Sequence, residues 1–148
     1  MRHVLVPLAI LCLSGCVTFG DLNSKGTEKA FHAAAVSVKA KRYQAAVVAF
    51  NKIIADSPDS ALAADALFEL ALVHAHRDNP ERNYTLALHA FEAFLKRSPD
   101  NRRAFEAQIY ISLLKAFQEL KKQNEYLSES IEELQQLDIR HEERRKGK

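Results

Sequence analysis

The sequence predicts an all-α fold, and three observations support this prediction. Positions 27–146 contain none of the four glycines, whereas tight β-hairpins favour glycine because it adopts positive φ. Alanine, leucine, glutamate, lysine and glutamine, which are good helix formers, dominate the same stretch. Apolar residues there recur at the three- and four-residue spacing of an amphipathic helix.

Composition also limits the size and the function of the protein. The 148 residues are 47% hydrophobic, so one packed domain, or at most two small ones, is expected. The 21 Lys and Arg and the 19 Asp and Glu give a net charge of +2. This balance argues against a nucleic-acid-binding protein, which carries a clear basic excess. The glycine-free stretch excludes a glycine-rich phosphate-binding loop and a nucleophile elbow.

The amino-terminal segment, residues 1–15, has the pattern of an export signal. Residues 1–3 (Met-Arg-His) form a short basic start, and residues 4–13 form an apolar run. A helix needs about 20 apolar residues to span a bilayer, so this run is too short for a stable membrane anchor. It fits the hydrophobic region of a signal peptide.

The end of this signal resembles the lipobox of bacterial lipoproteins, since residues 13–16 read Leu-Ser-Gly-Cys. The resemblance implies that residues 1–15 are removed and that Cys16 carries a diacylglycerol and an N-acyl chain. The mature chain would then begin at Cys16. Valine rather than aspartate at position 17 implies the periplasmic face of the outer membrane. The alternatives are an ordinary cleavable signal and a short hydrophobic stretch with incidental cysteines.

Cysteine usage agrees with a lipid anchor. Cys12 lies in the segment that would be removed, so Cys16 is the one cysteine expected in the mature chain and no intramolecular disulfide is predicted. Apart from the acyl chains on Cys16, no cofactor or metal is predicted. Residues 16–26 hold two glycines and several turn formers, and they predict a flexible tether between the lipid and the folded part.

The body of the chain is an internal repeat, in which matching residues recur at one constant offset (84 − 43 = 41). A fixed period of roughly 20–50 residues indicates a solenoid, here one of helical pairs. The matched pairs are Tyr43 with Tyr84, Ala46 with Ala87, Phe50 with Phe91, Ile53 with Phe94, and Pro58 with Pro99.

This pattern resembles the tetratricopeptide repeat, whose unit is about 34 residues long. That family places a small residue, an aromatic four positions on, a core residue three further and a proline five further, as at Ala46, Phe50, Ile53 and Pro58. The resemblance implies a solenoid of helical hairpins, about two and a half repeats, over residues 27–112. A generic helical bundle and a HEAT-type repeat of about 40 residues are the alternatives.

Five helices are predicted, in order, from apolar spacing and from the residues that end and begin helices. Pro58 and Pro99 disfavour helix at the preceding serine, and Ser60 and Asn101 are good caps for the helices that follow. The predicted helices cover residues 27–40, 43–56, 61–77, 84–97 and 102–145.

The last predicted helix also has the heptad pattern of a coiled coil, which is predicted over residues 113–148. The leucines at one heptad position are Leu113, Leu120, Leu127 and Leu134, and the adjacent heptad position holds Tyr110, Phe117, Asn124 and Ile131. A buried asparagine at such a position pairs with its own counterpart, which predicts a parallel homodimer. Alternatively, Leu113 and Phe117 cap the solenoid and the remainder folds back or stays a single helix.

The chain ends in a basic tail at residues 144–148. Cations suit the carboxyl end of a helix, so a solvated helix end is one interpretation. Contact with anionic lipid or with an acidic envelope polymer is the other.

No enzyme is predicted. His74 and His76 lie two positions apart in a helix and point to different faces, so they cannot bind one ion together. The other histidines of the mature chain have no cluster of cysteines or carboxylates at ligand spacing.

The repeat resemblance implies a binding function instead, because such arrays line a concave groove with the first helix of each pair. The groove residues predicted in this way are Phe31, Ala35, Lys39, Phe68, Leu72 and His76. The predicted protein is a lipid-anchored periplasmic adaptor that binds an envelope protein through the groove and the coiled coil. Alternatives are an accessory lipoprotein that modulates a sensor kinase and a dimeric structural spacer.

Overall fold

The computed structural model describes the backbone of residues 19–147 and the side chains of residues 25–147. This part of the chain forms five α-helices and no β-strand. The signal peptide predicted for residues 1–15 and the lipid-attachment residue Cys16 lie outside the described residues. The helices are α1 (Phe19–Lys39), α2 (Tyr43–Asp56), α3 (Ala61–Ala75), α4 (Tyr84–Arg97) and α5 (Ala104–Lys146). The prediction of an all-α chain that ends in a long helix is confirmed.

The largest difference from the predicted boundaries is at α1, which begins at Phe19 instead of residue 27. Residues 19–26, predicted as part of a flexible tether, are therefore helical. Gly26 has no positive φ, and a Cβ at this position would meet nothing within 4 Å. A single glycine costs a helix about 1 kcal/mol relative to alanine, which the turns on either side can offset.

Side-chain caps precede two of the helices. Ser60 caps α3, accepting a hydrogen bond from the backbone N–H of Ala63 at 3.0 Å, as predicted. Asn83 caps α4 in the same way, through the N–H of Leu86. Asn101 does not cap α5: its side chain accepts from the N–H of Arg103, so it shapes the turn before the helix.

A left-handed residue joins α1 to α2. Lys41 has φ 57°, and the N–H groups of Lys41 and Arg42 donate to the carbonyls of Val38 and Ser37, at 2.9 and 2.8 Å. This is a Schellman motif, which satisfies the last carbonyls of a helix and reverses the chain. The Lys41 Nζ also lies 2.7 Å from Asp78 Oδ2, which connects this turn to the loop after α3. The hydrogen bond and charge of Lys41 lower the pKa of Asp78.

We expect Lys41→Met to raise the pKa of Asp78 toward its ordinary value, with Arg77, 3.5 Å away, retaining part of the depression. An NMR titration of the Asp78 carboxyl carbon measures this. A carboxyl group whose pKa falls on folding adds stability only while it is ionised. The stability lost in Lys41→Met should therefore be present at neutral pH and vanish as the pH falls through the folded-state pKa of Asp78. Lys39→Met is the control; an Asp78 titration identical in both variants would contradict the pairing.

Two apolar clusters form the core, and α3 contributes to both. The first joins α1, α2 and α3 around Phe50, whose ring meets that of Phe31 edge to face at 5.5 Å between centroids. The second joins α3, α4 and α5 around Phe68 and Phe91. Each helix packs on the next one along the chain, and α1 also contacts α3. The core thus runs from hairpin to hairpin along the body.

Aromatic and charged contacts fix the first turns of α5 to the body. The ring of Tyr110 stacks on that of Phe91 at 5.0 Å and 6° between planes. The guanidinium of Arg103 lies 3.4 Å from the centroid of the Phe68 ring, and its Nη1 is 2.8 Å from Glu69 Oε1. Because both partners of that ion pair are largely covered, solvent screens it less than a surface pair. The direction in which α5 leaves the body is therefore set by α3 and α4.

Candidate protein-interaction surface

The structure does not bring the predicted groove residues together on an exposed surface. Phe68 is fully buried, so the prediction that it contacts a partner is wrong: its ring packs edge to face against those of Phe91 and Phe94, both at 5.2 Å. Phe31 and Leu72 are half-buried and pack against the first and second core clusters respectively. These three residues mainly support the core.

The two polar groove residues differ from each other. Lys39 is exposed at the end of α1. His76 is half-buried, and its Nδ1 accepts the backbone N–H of Asp78 at 3.1 Å. Because that nitrogen accepts a hydrogen bond, the hydroxyl of Tyr43, also 3.1 Å away, must donate to it. His76 thus holds the loop after α3 against the start of α2.

The residues predicted to form the coiled-coil seam are exposed. They follow the same face of α5 and are Leu113, Phe117, Leu120, Asn124, Leu127, Ile131 and Leu134. Two further exposed residues, Phe105 and Ile109, continue this face toward the start of the helix. We call the whole set, from Phe105 to Leu134, the α5 stripe. The other exposed apolar residues of α5 are Tyr126, Leu137 and Ile139.

The α5 stripe faces away from the body. The residues of α5 that pack on the body are Ala104, Ala107, Tyr110, Ile111 and Leu114. At 100° per residue, the centre of that set lies about 145° around the helix from the centre of the stripe. Phe117 lies at the border, where its ring meets that of Tyr84 at 4.8 Å. The stripe is therefore open to solvent along its length.

The internal repeat explains why Phe105 and Ile109 are exposed. At the offset of the repeat, they correspond to Ala64 and Phe68 of α3 (105 − 64 = 41 and 109 − 68 = 41). In α3 both positions are almost completely buried in the cluster that includes α4. Phe105 is 74% exposed because no described helix follows α5 to cover it. The 41-residue offset of the repeat would have indicated that Phe105 and Ile109 need a covering helix. The seam was predicted from the heptads alone and therefore begins at Leu113.

Beyond Gln118, α5 leaves the body. The last side-chain contacts with the body are Lys115 with Glu92, at 2.9 Å, and Gln118 with Thr85, at 3.4 Å. Among the described side chains, the hydrogen bonds and ion pairs beyond this point join residues of α5 to each other. The segment from position 119 to position 146 extends about 42 Å at roughly 1.5 Å per residue. An exposed apolar face of this length is typical of a protein-interaction site.

Between Ala116 and Gln135, charged residues are almost absent from the flanks of the stripe. The flanking heptad positions hold Ala116, Lys121, Gln123, Ser128, Ser130 and Gln135. The one charged member, Lys121, has its Nζ 3.6 Å from Glu125 Oε1 in the same helix. The other charges of this helix lie mainly on the faces away from the stripe. A second helix could therefore lie along the stripe without meeting unpaired charge.

The described residues contain no cluster of three or more His, Cys, Asp or Glu that could hold a metal ion. Burial lowers the pKa of His74, which favours the neutral ring. At the other end of α5, Arg144, Arg145 and Lys146 are exposed, and Lys146 pairs with Glu142 at 3.2 Å. The basic end of the chain is therefore available at the tip of the helix.

Within the described residues, no helix has both the length and the apolar character needed to cross a bilayer. Comparison with known proteins finds no matching family, no similar curated protein and no similar solved structure. The α5 stripe, the internal repeat and the amino-terminal motif are therefore the features of this chain that indicate a function.

Proposed function

We propose that this chain is a lipid-anchored adaptor of the bacterial cell envelope, which holds a partner protein at the periplasmic face of the outer membrane. The observation that carries the proposal is the free part of α5, which extends about 42 Å beyond the body with apolar residues exposed along it. A helix held rigidly at one end and apolar along one face is suited to dock another protein by helix packing.

The body supports this function as a rigid base, and we propose that it is a tetratricopeptide-like solenoid of about two and a half repeats. α1 with α2 and α3 with α4 would be the two complete hairpins, and α5 the first helix of the third. The equivalent residues Phe50 and Phe91 are both fully buried, as are Ala46 and Ala87. The contact of α1 with α3 is also expected when hairpins stack in sequence.

The amino-terminal motif supports the lipid anchor, with Cys16 as the attachment residue. α1 begins at Phe19, three positions after Cys16. A chain anchored at Cys16 would therefore connect to the body through a helix rather than through the predicted flexible tether.

Site-specific photo-crosslinking in intact cells tests the adaptor function. The photoreactive amino acid p-benzoylphenylalanine replaces Tyr126 or Ile139, which are exposed on α5 outside the stripe. We expect at least one of these positions to give a covalent adduct with a different envelope protein. Val48, 67% exposed on α2, is the control position and should give no such adduct. Adducts with the chain itself alone, or no adducts, would contradict the adaptor function.

The second candidate function is a dimeric spacer without a further partner. The burial of Phe68 and the partial burial of Phe31 and Leu72 favour it, because they leave little exposed apolar surface in the predicted groove. The same crosslinking experiment distinguishes the two functions, since a spacer would give adducts only with its own copies.

A further inference from the structure

We propose that the α5 stripe binds the α5 stripe of a second copy of this chain, in parallel, over its whole length from Phe105 to Leu134. This inference rests on the proposed use of α5 as a docking helix and names the occupant of its apolar face. It enlarges the predicted seam at its amino-terminal end, where α5 still packs on the body. The parallel pair would thus begin beside the two bodies and continue past them.

The length of the stripe favours a second α5 as the occupant. The stripe covers 30 positions (134 − 105 + 1), or about 44 Å of helix. Among the described helices, α5 has 43 residues and the next longest, α1, has 21. α5 is therefore the one described helix that could cover the whole stripe.

The position of the body permits this pairing. Since the centre of the stripe lies about 145° around α5 from the surface that packs on α3 and α4, the bodies would flank the pair on opposite sides. Two copies can then bring their stripes together while Tyr110 and Leu114 keep their contacts with the body. The pairing requires no rearrangement of either core.

The chemistry of the stripe also matches a second copy. Between Ala116 and Gln135 its flanks are uncharged except for Lys121, which pairs within its own helix, so identical flanks can approach there without repulsion. Near the start of the stripe, Glu106 is the nearby charge, and its Oε2 lies 3.5 Å from Arg103 Nε of the same chain. Asn124 is exposed and lies between Leu120 and Leu127 on the stripe. In a parallel pair each Asn124 would meet its own counterpart, whereas an apolar partner would bury it without a hydrogen bond.

The parallel direction agrees with the proposed anchor. A two-fold axis along the α5 pair places both α1 helices at the same end of the dimer. The acyl chains on both Cys16 residues could then insert into one membrane, with the two bodies side by side. An antiparallel pair would separate the two bodies along a rod that is about 64 Å long, since α5 has 43 residues.

The oligomeric state of the full chain, purified in detergent micelles, tests the proposal. Light scattering coupled to gel filtration gives the mass at protein concentrations from about 1 to 50 µM, a range in which a specific dimer of ordinary affinity forms. We expect a dimer for the wild type. Leu127→Glu should be a monomer, because two glutamates would then face each other across the pair. Phe105→Glu should weaken the dimer at least tenfold, because it puts a charge into the paired apolar surface. Lys122→Glu, on the opposite face, should remain a dimer.

Orientation is measured with p-benzoylphenylalanine at Leu120. In a parallel pair, crosslinked peptides should join Leu120 to the same region of the second copy. A wild-type monomer at about 50 µM, a dimer that Phe105→Glu does not weaken, or crosslinks to a distant region would each overturn the proposal. Circular dichroism of each variant checks that the helices are intact.

The adaptor proposal and the dimer proposal can fail separately. A monomer whose Tyr126 still crosslinks an envelope protein would overturn the dimer proposal and leave the adaptor proposal standing. A parallel dimer without such a crosslink would overturn the adaptor and support this inference. The pair covers the stripe but leaves Tyr126 and Ile139 on other faces, so both proposals can also hold together.

Discussion

Replacing Phe91 with alanine is expected to lower the free energy of unfolding by about 3–5 kcal/mol. The Phe91 side chain is fully buried, stacks on Tyr110 and meets Phe68 edge to face at 5.2 Å. Its loss would remove transfer free energy and leave a cavity between α3, α4 and α5. A small domain has a total stability of roughly 5–15 kcal/mol, so Phe91→Ala should be barely folded. Urea unfolding, followed by circular dichroism, measures the effect.

The repeat predicts that Phe50→Ala has a cost of the same size, because Phe50 occupies the equivalent, fully buried position between α1, α2 and α3. Val48→Ala is the control in the same helix. Val48 is exposed, so its replacement should change the free energy of unfolding by no more than about 0.5 kcal/mol. Near-neutral results at both Phe50 and Phe91 would contradict the two-cluster core.

Replacing Cys16 with serine is expected to release the protein from the membrane fraction and to leave residues 1–15 attached. Serine has no thiol to accept the diacylglycerol, and in lipoproteins that step precedes removal of the signal. Two or more acyl chains anchor a protein stably, whereas the remaining apolar segment is too short to span a bilayer. Membrane fractionation after a salt wash and the mass of the intact chain measure both effects.

Cys12→Ser is the matched control, because Cys12 lies within the predicted signal and four positions before the attachment residue. This variant should be processed and anchored like the wild type. If Cys16→Ser still remained with the membranes after the salt wash, the anchor would have to lie elsewhere in the chain. If both variants were released, the effect would not be specific to the lipobox cysteine.

The helices that the sequence predicted best are those with strong local signals at both ends. α2 and α4 match their predicted bounds, because each is followed by a Ser-Pro pair, at Pro58 and Pro99, which disfavours continuation. The long α5 follows from the absence of glycine and proline. The local sequence alone is therefore enough to predict where these helices begin and end.

Positions that depend on tertiary contacts were predicted less well. The groove residues were predicted from the register of the repeat. That register does not distinguish a side chain that lines a groove from one, such as Phe68, that packs against the next hairpin. Phe105 was missed because its exposure depends on which helix packs beside α5, and no described helix covers it. The start of α1 was placed too late because Gly26 was taken as a break, although a single glycine costs a helix only about 1 kcal/mol.

The early start of α1 would affect how a chain anchored at Cys16 moves relative to the membrane. α1 begins at Phe19, about 18 Å along the helix before Phe31, which packs against the first core cluster. A flexible tether of this size would let the body tumble freely, whereas a helix acts as a lever whose tilt is passed to the body. α5 is fixed to the same body through α3 and α4. A chain anchored at Cys16 would therefore hold α5 within a restricted range of angles to the bilayer.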